Sequence, residues 1–237
     1  MYQNKRILAV IPARGGSKGI PKKNITMLDG LPLIVYTLKS AQHSKYLDRI
    51  IVSTEDFEIK KVAEQYGGEV PFLRPVELAQ DDSKTIDCIL HTIDTLKNIR
   101  ETYDYVVILQ CTSPLRKSWH IDEAISKIIS ENGTSLVSVS EVEEHPILMR
   151  TLNTDGTLQN LLNVNSTIRR QDFPSFYKVD GAIYIQKIDE NLNKDTSLND
   201  GKLAYIMDRK YTVDIDEYLD IRKVELYLKE LHNLKIF

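Results

Sequence analysis

Three short segments of this chain are apolar at almost every consecutive position: RILAVIPA (Arg6 to Ala13), DRIIVST (Asp48 to Thr54) and DYVVILQ (Asp104 to Gln110). A strand with one wet face alternates apolar and polar residues. A run without alternation needs cover on both faces. Between these runs the apolar spacing changes to that of a helix. LPLIVYTLKSAQHS (Leu31 to Ser44), DFEIKKVAEQYGG (Asp56 to Gly68) and DSKTIDCILHTIDTLKNIRE (Asp82 to Glu101) each gather apolar side chains on one helical face. Pro32 suits a first turn, Asp56 or Glu55 a helix start, and Gly67 a helix stop. EVPFLRP, from Glu69, reads as a short strand interrupted by Pro71. The alternation continues with a helix capped at Ser118 (Ser118 to Gly133) and a strand over Ser135 to Val142. Strands separated by helices predict an α/β fold. The expected form is a Rossmann-like, mostly parallel twisted sheet with helices on both faces.

The pattern then breaks. Residues 141–182 are polar, rich in turn signals and without a strong helical period, so they read as inserted hairpins and loops. AIYIQKI (Ala182 to Ile188) and KLAYIMD (Lys202 to Asp208) resume as strands. A last helix places Ile221, Val224, Leu228 and Leu231 on one face. The expected organisation is one nucleotide-binding catalytic domain, residues 1–140 and 183–237, with 141–182 as an insert.

In open α/β sheets ligands bind beyond the carboxyl ends of the strands. Arg14, Thr54, Arg74 and Gln110 all fall just past strand ends, and so near one rim. The first of these ends carries VIPARGGSKGIPKKN, with Gly15, Gly16 and Gly19 among Arg14, Lys18, Lys22 and Lys23. The formal net charge of the 237 residues is −3, so this basic patch is local. Nothing global points to nucleic acid or to an anionic membrane as a partner. Glycine amides approach an oxyanion closely and lysines neutralise it, so the loop reads as a phosphate site. It is not a P-loop, because Lys18 precedes Gly19, and its glycines do not have the spacing of the dinucleotide fingerprint.

TVDIDEYLD, near the other end, sets Asp214 and Asp216 two apart. In a strand that spacing puts both carboxylates on one face, with Cα atoms roughly 6.5 Å apart. Such a pair suits a Mg2+ ion that takes its remaining ligands from phosphate and water. It equally suits Asp216 as a helix cap with Asp214 facing water. No Ser–His–Asp order or Cys/His metal spacing occurs, which sets covalent catalysis and zinc aside. Cys88 and Cys111 read as buried thiols of a reducing compartment. The apolar run at the N-terminus is too short for a signal-peptide core or a membrane span, and the expected location is cytoplasmic.

IPARGGSKGIPKKN resembles the N-terminal signature of the CMP-N-acylneuraminate (CMP-sialic acid) synthetases. DRIIVSTED, FLRPVELAQDDS, LQCTSPLR, RRQDFPSFYKVDGAIYI and VDIDEYLDI resemble further segments of that family, in the family's order. The resemblance implies a cytidylyltransferase. Such an enzyme couples CTP to the anomeric hydroxyl of a sialic-acid-like nine-carbon 2-keto acid sugar, releases pyrophosphate and requires Mg2+. By position, Arg14, Ser17, Lys22 and Asn24 then contact the nucleotide phosphates, with Lys22 clamping the triphosphate. Arg74 and Thr85 stand where the family contacts the nucleotide, and Gln110 where it contacts the sugar acid. Arg170 and Lys178 occupy basic positions near the substrate carboxylate. Arg169 reads equally as part of a solvated basic hairpin, and Arg150 as a weaker match to another basic position. The resemblance makes Asp214 and Asp216 the metal ligands. It makes the insert a dimerisation arm of a homodimer, and the aromatics of FPSFY need somewhere to be buried. SKGIP favours a sialic or legionaminic acid substrate. The rival readings are a cytidylyltransferase for pseudaminic acid or another keto-sugar acid, and a catalytically silent nucleotide-sugar-binding protein.

Overall fold

The computed structural model describes residues 1–162 and 172–233. Strand β1, Ile7–Pro12, is covered on both faces. Ile7, Ala9 and Ile11 face one apolar cluster, while Leu8 and Val10 face another. That two-sided burial is why the run shows no alternation. The remaining strands are β2 (Met27–Leu28), β3 (Leu31–Pro32), β4 (Arg49–Ser53), β5 (Tyr105–Ile108), β6 (Ser135–Glu141), β7 (Arg150–Leu152), β8 (Leu158–Asn160), β9 (Tyr177–Lys187) and β10 (Leu203–Ile206). The α-helices are α1 (Leu33–Gln42), α2 (Phe57–Gln65), α3 (Thr85–Asn98), α4 (Ser118–Ser130) and α5 (Tyr218–Asn233).

Six strands form the main sheet in the order β10-β6-β9-β5-β1-β4. β1 pairs in parallel with β4 and β5, and β6 in parallel with β10. β9 is antiparallel to both its neighbours, β5 and β6. The sheet is therefore mostly parallel, as expected, with one reversed strand at its middle. α1, α4 and α5 pack in the cluster on one face; α3, through Ile86, Cys88, Ile89 and Leu96, packs in the cluster on the other.

Local chemistry explains several boundaries. The Asp56 carboxylate accepts from the amides of Glu58 and Ile59 at 2.7 and 3.0 Å, capping α2. α4 starts at Ser118, and the Lys117 amide donates to His120 Nδ1 at 3.0 Å, so a histidine rather than the expected serine serves this end. The strand expected at Glu69 is reduced to one bridge with Ile51, because Pro71 cannot extend the ladder. β9 begins at Tyr177, before the expected Ala182, so Lys178 and Asp180 lie within the main sheet.

The insert builds a separate two-stranded hairpin, β7–β8. His145 sits at its base, 4.5 Å from the Phe173 ring and 4.8 Å from the Phe176 ring, and so supplies part of the cover those aromatics need. Arg169 and Arg170 lie outside the described residues. Cys88 and Cys111 are free and buried, and burial pushes the Cys111 thiol up to about 12. Among the described residues no helix is long and apolar enough to cross a membrane.

Candidate active site

The glycine-rich loop leaves β1 at the carboxyl edge of the sheet. It leads into a short 3-10 turn, Lys23–Ile25, and the β2–β3 hairpin before α1 begins. A cleft of about 540 Å³ opens beside it, lined by Arg14, Ser17, Asn24, Arg74, Thr85 and Gln110, with Asp216 at its edge. Seven residues expected from the sequence, drawn from four separate segments of the chain, thus share one cavity. Asn24 is buried and its amide donates to the Arg14 carbonyl at 2.9 Å, which folds the loop back on itself. Arg74 is 6% exposed and bonds Ser53 through Nε and Nη2. Its Nη1 has no hydrogen-bond partner among the described residues, so a buried cation keeps a donor in reserve beside the cleft.

Lys22 stands apart. It has a left-handed backbone, φ 51°, and its ammonium pairs with Glu58 at the start of α2. That bond and the Glu58 charge raise its pKa. The adjacent Lys23 has the place expected of Lys22. It lines the cleft, is 13% exposed, and donates to the Ile215 carbonyl at 2.8 Å and to Asp216 Oδ1 at 3.0 Å. Lys18 also lines the cleft, and pairs with Asp81 at 3.2 Å. The positive left-handed turn at Lys22 is what sends the two neighbouring lysines to different partners.

Residues 212–215 form no strand, so the expected shared strand face for the two aspartates is not what unites them. They divide between two cavities. Asp216 borders the 540 Å³ cleft, and Asp214 borders a larger one of about 920 Å³. The Ile215 amide donates to the Thr112 carbonyl at 2.9 Å and anchors the segment to the end of β5. Gly19 permits the close approach on the other side, since a Cβ there would lie 2.4 Å from the Asp216 carbonyl oxygen. Asp216 is not the cap of α5. Its own amide and that of Glu217 donate to Asp220 Oδ2 at 3.1 and 3.0 Å. The Asp216 carboxylate is 79% exposed.

Asp214 keeps contact with solvent, yet the surrounding protein desolvates its carboxyl and raises its pKa. The Thr112 hydroxyl opposes that shift, and the nearby Asp216 charge adds to it. Two carboxylates that disfavour each other's charge are a donor set for a cation. Among the described residues no group of three or more His, Cys, Asp or Glu could hold a metal. Two carboxylates are as many as Mg2+ needs from a protein, since it takes one or two and fills its shell with phosphate and water.

The larger cleft is lined by Lys178, Asp180, Tyr184, Arg209 and Lys223 besides Gln110 and Asp214. Lys178 makes no ion pair among the described residues, though its charge acts on the nearby Glu143 and Asp180 carboxylates. Gln110 lines both cavities and joins them. Arg150 lines neither; its guanidinium donates to the carbonyls of Ile147 and Met149 at 2.7 and 2.8 Å. Lys23, Thr112, Tyr184 and Lys223 were not expected from the sequence. Only Lys23 carried a signal there, as one of the four basic residues of the loop.

A family model described as cytidylyltransferase matches residues 8–234. N-acylneuraminate cytidylyltransferase of Streptococcus agalactiae serotype V is 36% identical over 211 residues, 88% of this chain and 50% of that protein. The chain thus spans about half the length of that relative. CMP-N,N'-diacetyllegionaminic acid synthase of Legionella pneumophila is 37% identical over 217 residues, 91% of this chain and 93% of that protein. Pseudaminic acid cytidylyltransferase of Campylobacter jejuni is 31% identical over 226 residues, 95% of this chain and 97% of that protein. Among solved structures, a CMP:2-keto-3-deoxy-manno-octonic acid synthetase complexed with CTP has a TM-score of 0.70 at 14% identity, covering 95% of this chain and 99% of that chain. That likeness speaks to the fold.

Proposed function

The chain belongs to the cytidylyltransferase family, and on that premise we propose that it couples CTP to the anomeric hydroxyl of a sialic-acid-like nine-carbon 2-keto acid sugar, releasing pyrophosphate. The observation that carries this reading is the pair of clefts joined at Gln110, one rich in loop cations and the other a polar cavity in which Lys178 stands among Glu141, Asp180 and Asp214, while Arg209 and Lys223 pair with Glu143 and Asp220. In this reading the smaller cleft takes CTP. Arg14, Lys18, Lys23 and Arg74 hold its phosphates and base, with Ser17, Asn24 and Thr85 completing the contacts. The larger cleft takes the sugar acid, whose carboxylate meets Lys178. Lys23 replaces Lys22 as the triphosphate clamp.

Asp214 and Asp216, one on each cleft, are the residues that would hold Mg2+. The ion supplies charge neutralisation at the α-phosphate and the leaving pyrophosphate. The protein's own contribution is orientation. Binding two anionic substrates in adjoining clefts replaces a bimolecular encounter with a held geometry. The sugar hydroxyl is the nucleophile, and the loop cations meet the charge that grows on the pyrophosphate. Location is read as cytoplasmic. The β7–β8 arm exposes Leu152, Leu158 and Leu161, and we read it as the contact of a homodimer.

Pyrophosphate release from CTP over a panel of sialic, legionaminic, pseudaminic and eight-carbon keto-sugar acids tests the reading. Release with a sialic or legionaminic acid supports it. Preference for pseudaminic acid, or for an eight-carbon acid, selects the rival enzyme. CTP binding without release on any acid selects the silent binding protein.

A further inference from the structure

Gln110 is the single residue, among those described, that lines both large clefts and a third hollow of about 440 Å³ beside Lys194 and Ser197. What holds it there lies behind the cavities. Arg116 is 1% exposed and has no carboxylate in ion-pair range among the described residues. Its Nη1 donates to the Gln110 carbonyl at 3.1 Å and to the Ala182 carbonyl at 2.8 Å; its Nη2 donates to Thr37 Oγ1 at 2.8 Å. One guanidinium thus ties the end of β5 to the middle of β9.

The tie falls where β9 is irregular. Its register against β6 shifts between Val137 and Val139. Asp180, 6% exposed, accepts from Ser138 Oγ at 2.5 Å and from the Ala182 amide at 3.0 Å. Ala182 is therefore held by its N–H to Asp180 and by its C=O to Arg116. Next to it Gly181 has φ +78°, and a Cβ there would stand 3.3 Å from Gln110 Oε1. A side chain there would be strained by the positive φ and would press on the end of Gln110.

This arrangement is costly. Arg116 Nε and Asp180 Oδ2 are buried without partners among the described residues, and burial drives the Arg116 pKa down to about 10 and the Asp180 pKa up. Apolar residues of similar volume would serve stability alone at least as well. Incompletely satisfied buried charge is expected where geometry serves function. Asp180, Gly181 and Tyr184 line the larger cleft and not the nucleotide cleft. A shift of the bulge is thus felt on the acid-substrate side.

We propose that Arg116 is a positioning residue that, through the Gly181–Ala182 bulge, sets the affinity for the sugar acid far more strongly than that for CTP. The inference rests on the reading of the larger cleft as the acid-substrate site. Arg116→Lys keeps the charge and loses the fork. Gly181→Ala disturbs the same contact from the other side without touching Arg116. KM for the sugar acid, the CTP dissociation constant by calorimetry and thermal unfolding are measured for both. The expected result is a sugar KM raised about tenfold or more, with CTP affinity within about twofold of wild type. An unchanged sugar KM in a folded variant overturns the proposal, as does equal weakening of CTP and sugar. If Arg116→Lys does not fold, Gly181→Ala decides on the same criteria. A wild-type protein that neither binds nor converts any sugar acid overturns the functional reading and this inference with it. An active wild type with insensitive variants overturns the inference alone.

Discussion

The Lys23 ammonium stands 3.0 Å from Asp216 Oδ1, joining the glycine-rich loop to a segment 193 residues further along the chain. The same nitrogen donates to the Ile215 carbonyl at 2.8 Å. One side chain therefore fixes the distance between the cationic wall of the nucleotide cleft and the carboxylate expected to hold the metal. A cation arriving at Asp216 meets a carboxylate already oriented by Lys23.

That geometry separates two neighbouring lysines. Lys23→Met is expected to lower kcat/KM for CTP by about 100-fold or more, the usual scale for losing a preorganised charged donor. Lys22→Met, which removes an exposed pair with Glu58, is expected to stay within about threefold of wild type. Steady-state kinetics on both variants checks this. The larger loss at Lys22 would return the clamp to that residue.

Asp216→Asn retains shape and removes charge. The side chain is 79% exposed, so the thermal midpoint should move little, while kcat should fall by about 100-fold or more and the Mg2+ dependence should weaken. Near-wild-type kcat at saturating Mg2+ would remove Asp216 from the metal site.

Acid stability should depend on His120. It is 4% exposed, its ring lies 4.7 Å from that of Tyr211, and its Nδ1 accepts from the Lys117 amide. Burial first, and then the Arg116 and Lys117 charges, lower its pKa to about 4. The folded state keeps the ring neutral while the unfolded chain protonates it near 6.5. The resulting stability is present above that pH and is lost as pH falls toward 4. Between pH 7 and pH 5 the loss from this group amounts to about 2 kcal/mol. Urea unfolding of wild type and His120→Gln at both pH values should show a smaller pH-dependent drop in the variant, whatever its stability at pH 7. Equal drops would contradict the assignment.

The hairpin arm makes a prediction about assembly. Leu152 is 72% and Leu158 67% exposed on paired strands, an apolar surface that a second copy would cover. Light scattering at micromolar concentration is expected to give the mass of a dimer for wild type and of a monomer for Leu152→Glu/Leu158→Glu. A fully active monomeric wild type would refute the arm's role.

The elements that formed where the sequence indicated are those whose causes are local. β1 and β5 are apolar throughout because both their faces are covered, and α2 begins at Asp56 because its carboxylate is two and three residues from the amides it caps. The loop's glycines and cations stood out as a candidate phosphate site, and the family's motifs pointed to Arg74, Thr85 and Gln110, which the fold brings to the same cleft. Each of these properties is carried by residues close together in the chain.

Tertiary structure decided the rest. An apolar run states that a strand is covered, not which strand lies beside it or in which direction, so the antiparallel entry of β9 between β5 and β6 had no signature. The choice of Lys23 over Lys22 depends on a left-handed turn at Lys22 and on the partner each ammonium finds, Asp216 or Glu58, far along the chain. The two-residue spacing of Asp214 and Asp216 suggested a common strand face. In the fold a chain without strand pairing, anchored at Thr112 and closed over Gly19, gives one carboxylate to each cleft. The sequence determined which charges and glycines are present. Long-range packing determined which of them face one another, because their partners are set by contacts between segments that local periodicity does not encode.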